Sequence, residues 1–133
     1  NGNYSSIIQF TGATASGDRF PMAATSPASG AFGFDIYYDG NTIYYNNGDY
    51  KSKTPTLTAG NLAITNKAYR NGTDEGLAAM TGAGLNVPVY IGASNYSGTT
   101  TGYFAGTIIA VAIYSGFLTA GQVAAVATAM AAL

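Results

Sequence analysis

Val89-Tyr90-Ile91-Gly92, a polar loop, Tyr103-Phe104-Ala105-Gly106-Thr107-Ile108, then Ala112-Ile113-Tyr114 and Leu118-Thr119 form the stretch whose reading decides the fold. Residues 87–93 read as a strand with Pro88 near its start, a position that an edge strand or a first residue tolerates. Residues 95–102 read as a polar loop. Residues 103–114 read as a long apolar, β-branched strand in which Ile108, Ala110, Ala112 and Tyr114 share one face. Apolar residues on its other face as well predict a central strand covered on both sides. After Ser115 the period changes. Thr119 and Gln122 make a capping box, and Leu118 and Val123 occupy the staple positions around it. Val123, Val126, Ala127 and Met130 then recur at helical spacing. This terminal helix carries no charge, so it is expected to pack on the strands or meet a partner.

Upstream, Phe32, Phe34, Ile36 and Tyr38 recur every second residue and mark one face of a strand, with Asp35 and Tyr37 on the other. Asp39-Gly40 predicts a type I′ turn, residues 41–45 a return strand, and Asn46-Asn47-Gly48 another turn. Short strands are expected at residues 4–10, 19–24, 61–65 and 68–70. The second is ended by Ser26-Pro27 and Gly30, and Asn71-Gly72 turns the chain after the last. Residues 51–55 read as a polar loop, and residues 73–79 as loop or a helical turn. Many short strands, Gly and Asn turns and one terminal helix predict an all-β antiparallel sandwich. No repeat or linker divides residues 1–133, so one domain is expected. Because the chain begins at Asn1, that domain is read as a processed product or a piece of a longer protein.

The pattern from Val89 to Thr119 resembles the closing segment of laminin-G-like domains in the concanavalin-like lectin and glucanase superfamily. There, a strand ending in Ile-Gly precedes a loop, a Phe-x-Gly strand and a helical Leu-Thr turn. Tyr69-Arg70-Asn71-Gly72-Thr73 is similar to that family's Tyr-x-Asn-Gly hairpin. The resemblance implies a laminin-G-like β-sandwich or jelly roll. Gly92 and Gly106 would let strands bend, Tyr114 and Leu118 would steer the chain off the last strand, and Thr119 and Gln122 would start the helix. The chain is short for that family and has no tryptophan. Such domains serve as lectins, adhesion modules, glycosidases and parts of bacteriophage virions.

Composition narrows the chemistry. There is no cysteine and no histidine. Thiol catalysis, disulfides and the usual neutral-pH base are therefore absent. Five scattered cations, Arg19, Lys51, Lys53, Lys67 and Arg70, make no basic stripe for nucleic acid. No apolar run approaches the ~20 residues of a membrane-spanning helix. Charged residues are only 8% of the chain and the net charge is −1. That suits either a polar but uncharged exported domain or a subunit covered by neighbours.

The remaining residues offer material for three kinds of site. A glycosidase needs two carboxyls flanking the bond; the single glutamate, Glu75, lies beside Asp74 after a turn, and Asp35 and Asp39 run from a strand into its turn. The expectation is a protein without catalytic residues. Calcium has hard oxygen ligands in Asp39, Asn41, Asn47 and Asp49, residues that hairpin turns also favour. The doublets Tyr37-Tyr38 and Tyr44-Tyr45 each send one ring away from the core. With Asn95 and Tyr96 they make a Tyr/Asn/Asp rim suited to a sugar. The leading expectation is a structural or decoration module of a virion or extracellular assembly, oligomeric and working through protein contacts. The alternative is a glycan-binding lectin or receptor-binding module, with or without calcium, on a cell surface.

Overall fold

Alternation along the first strands sorts their side chains between two environments, and the architecture follows from that sorting. The computed structural model describes residues 3–14, 19–26, 28, 32–83 and 86–133. Among these, the strands are β1 Tyr4–Thr11, β2 Arg19–Thr25, β3 Phe32–Asp39, β4 Thr42–Asn47, β5 Tyr50–Lys53 and β6 Gly60–Ile64. They continue with β7 Ala68–Arg70, β8 Thr73–Asp74, β9 Val89–Ile91, β10 Ser94–Tyr96, β11 Thr99–Thr101 and β12 Thr107–Ser115. Helix α1, Ala120–Ala131, closes the chain.

Two five-stranded antiparallel sheets form a sandwich. The back sheet runs β12-β1-β6-β7-β8 and the front sheet β5-β4-β3-β2-β9. Between them, Ile8, Phe10, Leu62 and Ile64 meet Met22, Phe34, Ile36, Tyr38, Ile43 and Tyr45, all buried. Phe34, Ile36 and Tyr38 take the core face as the alternation requires; the side chain of Phe32 lies outside the description. The stop at Pro27 and Gly30 also lies outside the described residues. On the other face of the back sheet, Ile7, Ala63 and Tyr69 pack against Val123 and Met130 of α1. The uncharged helix therefore packs on its own sandwich.

The capping box forms as expected: Thr119 Oγ1 accepts from the Gln122 amide, and Gln122 Oε1 accepts from the Thr119 amide. Thr119→Ala should cost about 1 kcal/mol of stability, read from the urea midpoint. Close packing explains Gly106. A Cβ there would stand 2.8 Å from the Phe104 ring and 2.9 Å from the Thr11 carbonyl oxygen.

Several local expectations are corrected. β12 is not central but ends the back sheet, paired only with β1 among the described strands. Its apolar residues are half-buried, Ile108 and Val111 against the sandwich core and Ala110 and Ala112 against the cluster that includes the helix. A bulge opposite Gln9 and Phe10 breaks its alternation, so Ile108 and Val111 pack on the same side against the core while Ala110 and Ala112 lie on the other. The β3–β4 turn is Gly40-Asn41, with Asp39 paired to Thr42. Only Gly40 has positive φ (+55°), the pattern of a type II′ turn. The type I′ pattern occurs instead at Asn71-Gly72, φ +49° and +77°. Asn46 and Asn47 belong to β4, Gly48 turning the chain after them, and residues 50–53 are a strand where a loop was expected. Residues 94–101 form a small hairpin, not a loop. β9 is a short edge strand that follows Pro88, as expected.

Candidate functional site

Helix α1 covers the outer face of the back sheet, and the outer face of the front sheet carries an array of aromatic side chains. Register assembles it. Tyr37 lies opposite Tyr44, Asp35 opposite Asn46, and Tyr50 opposite Asn46 on the next strand. The doublets divide as the sequence predicts: Tyr38 and Tyr45 are fully buried in the core, and Tyr37 and Tyr44 face out. Their outward rings stack with centroids 4.7 Å apart and 7° between planes. Strict alternation would send Phe20 inward with Met22 and Ala24. Instead β2 bulges between Arg19 and Met22, setting two residues against Tyr37 alone. Bulges re-aim side chains in this way. Phe20 thereby stacks on Tyr37 at 5.2 Å, and Tyr50 meets the same ring edge-on at 6.3 Å.

These rings wall a cavity of about 410 Å³. Phe20, Tyr37, Tyr50 and Tyr96 supply aromatic surface, and Ser94, Thr101 and Gly102 line the side formed by the β10–β11 hairpin. Among the described residues that line it, Arg19 is the one cation. Elsewhere, Lys51 pairs with Asp49, Lys67 with Asp74 and Arg70 with Glu75. Lys53 donates to the Glu75 carbonyl. Among the described residues no carboxylate pairs with Arg19, and its buried Nε has no hydrogen-bond partner.

Asp35 lies on the same face, two residues along β3 from Tyr37, and is fully buried. Its Oδ2 accepts from Asn46 Nδ2 at 2.9 Å, and its Oδ1 has no partner among the described residues. Burial pushes its carboxyl up to about 7, opposed by the Asn46 hydrogen bond. The Tyr50 hydroxyl is pushed up to about 12, first by burial and then by the charge of Asp35.

The residues singled out from sequence fall in different places. Tyr37 and Tyr96 line the cavity, and Tyr44 supports Tyr37 from behind. Asn95 shapes the β10–β11 turn by accepting from Gly98. Asn41 accepts from the Thr56 amide and hydroxyl. Asn47 is buried and bonded on both sides of its amide. Asp39 sits exposed at the β3–β4 turn, whereas Asp49 follows β4 at its far end. A six-residue strand separates the two by about 20 Å. Asp49 is also committed to Lys51 and to the Thr81 amide, which hold its carboxyl below the usual range. The turns read as neighbouring calcium ligands are thus at opposite ends of a strand. Among the described residues no three Asp or Glu side chains come together to hold a metal. Arg19, Phe20 and Ser94 were missed as site residues, since the bulge and the hairpin that bring them together leave no mark in local spacing.

No protein-family description matches the chain, and no curated protein matches it in sequence. Solved structures do match. The CBM40 domain of the Ruminococcus gnavus IT-sialidase, bound to α2,6-sialyllactose, superposes with a TM-score of 0.74 at 13% identity, over 95% of this chain and 83% of that one. Its complex with α2,3-sialyllactose gives 0.71 at 16% identity, with the same coverage. The chain has the fold of these domains. Domain 4 of AbnA, an extracellular GH43 arabinanase from Geobacillus stearothermophilus in complex with arabinotriose, gives 0.60 at 22% identity, over 94% of this chain and 66% of that one. The expected antiparallel sandwich is therefore present, of a kind consistent with the concanavalin-like class, while no family match supports laminin-G in particular. No helix is long and apolar enough to cross a membrane, among the described residues.

Proposed function

We propose that the protein is a non-catalytic carbohydrate-binding module that acts outside the cell, and that its front-sheet cleft takes an acidic, carboxylate-bearing sugar. The observation that carries this is Arg19, a cation with no carboxylate partner among the described residues, set in an aromatic-walled cavity. A guanidinium fork matches a carboxylate bidentately. The exposed rings of Tyr50 and Tyr96 offer faces for the C–H side of a pyranose, the stacked Phe20 and Tyr37 wall the cleft between them, and Ser94 and Thr101 offer hydroxyls. Sialyllactose bound to domains of the same fold supports an acidic sugar. These fold neighbours support the glycan reading better than a structural or decoration role in a virion or other assembly. They are also domains attached to enzymes rather than catalytic units, in keeping with a chain in which Asp74 and Glu75 are both tied into ion pairs.

Calorimetric titration with sialyllactose against lactose tests the reading. Sialyllactose should bind and lactose should bind at least about tenfold more weakly, since a lost charge-assisted pair is worth about 1.5–3 kcal/mol. Arg19→Gln should remove that preference with the fold intact. Equal affinity for the two sugars, or a preference that survives Arg19→Gln, would refute it.

A further inference from the structure

We propose that two copies of the chain pair through the edge of β12 that no described strand covers, joining their back sheets into one continuous sheet. Among the described residues, the four ends of the two five-stranded sheets differ in how they are protected. β8 is two residues long, β9 is three residues long and follows Pro88, and β5 carries Lys51 and Lys53. Shortness, proline and lysine are common devices against edge-to-edge pairing. β12 is nine residues, TIIAVAIYS, with no charge, no proline and no glycine. Its one irregularity is the bulge at Ile109, a device that blunts an edge only locally; residues 110–115 pair regularly with β1.

The exposed side chains of this edge suit a second copy. While Ile108, Ala110, Val111, Ala112 and Tyr114 of this strand are half-buried, Ile109 and Ile113 are 45% and 39% exposed. Each stands two residues from Val111. Antiparallel pairing about a two-fold axis at Val111 therefore sets Ile109 of each copy against Ile113 of the other. An uncharged strand meets no like charge in its own copy, and a net charge of −1 adds little repulsion between molecules. Helix α1, which shares one apolar cluster with Ala110 and Ala112, is uncharged as well. The interface is isologous and closed, so it stops at a dimer.

A two-fold that pairs antiparallel edges runs normal to the sheet, so both front sheets lie on the same side. The two clefts then open towards one surface. This consequence, unlike the pairing itself, rests on the glycan reading of the cleft.

Sedimentation velocity of the whole chain, up to high micromolar concentration, tests the pairing. The wild type should be a dimer, Ile109→Lys/Ile113→Lys a folded monomer, and Ile109→Glu/Ile113→Lys a dimer again, because opposite charges then face each other across the axis. A monomeric wild type, a dimeric lysine pair, or two folded monomeric double variants would each overturn it. If a variant fails to fold, hydrogen exchange on the wild type decides. Amides of residues 110–115 should gain protection as concentration rises, and unchanged protection refutes the pairing. On a surface dense in sialyllactose, the dimer should be retained at least about tenfold longer than the lysine pair. Equal retention of both refutes the shared orientation of the clefts. If neither binds while the dimer persists, the glycan reading fails and the pairing stands.

Discussion

Asp35→Asn should stabilise the protein at pH 8 by on the order of 2–4 kcal/mol and flatten its stability profile between about pH 4 and 7. The carboxyl is buried with one oxygen unpartnered among the described residues, and its folded value of about 7 stands well above the ordinary 3.8. The folded state thus holds its proton more tightly than the unfolded chain does. Its contribution is fully present below about pH 4, is lost as pH rises towards 7, and stays lost above that. Asparagine keeps the shape and can still accept from Asn46, but it has no charge to bury. Urea denaturation across pH reads the effect, and parallel profiles for both proteins would contradict it. The same titration touches the cleft. Ionised Asp35 on its outer face opposes an anionic sugar, so affinity for sialyllactose should fall as pH rises through about 7, and Asp35→Asn should lose that slope.

Asn47→Ala should destabilise the fold by about 3 kcal/mol, lowering the midpoint of thermal unfolding by about 10 °C. Asn47 Nδ2 donates to the Thr65 carbonyl at 2.6 Å, and its Oδ1 accepts from the Ala83 amide at 2.7 Å. One side chain on the front sheet thereby serves the backbone that follows β6 and the loop after Met80. Truncation to alanine strands a buried carbonyl and an amide at once, each at about 1–3 kcal/mol. A change below about 1 kcal/mol would mean that water replaces the amide. Since Asn47 is spent on the backbone, sugar binding per folded molecule should be unchanged in this variant, which separates it from Arg19→Gln.

These residues show where sequence reading reached and where it stopped. The strand face marked by Phe34, Ile36 and Tyr38 was legible because alternation is a property of one strand. The outward Tyr37 and Tyr44 followed from the same geometry, and the helix start at Thr119 from a four-residue motif. Asn47, by contrast, has the composition of a turn and was read as a ligand. Its burial comes from the back sheet and the loop that close over it, and neither is near it in sequence.

The sequence by itself determined the β-sandwich class, the capped terminal helix and the presence of tyrosines facing outward. Each rests on spacing within a few residues, where side-chain direction is set by backbone period. Only the tertiary structure decided that β12 is an edge, that Asp39 and Asp49 lie at opposite ends of β4, and that Arg19 and Phe20 join the tyrosines. Those facts depend on which strands pair, in which register, and on one bulge in β2. Pairing across tens of residues is set by how two sheets and a helix together bury their apolar faces, a condition no local stretch of this chain can express.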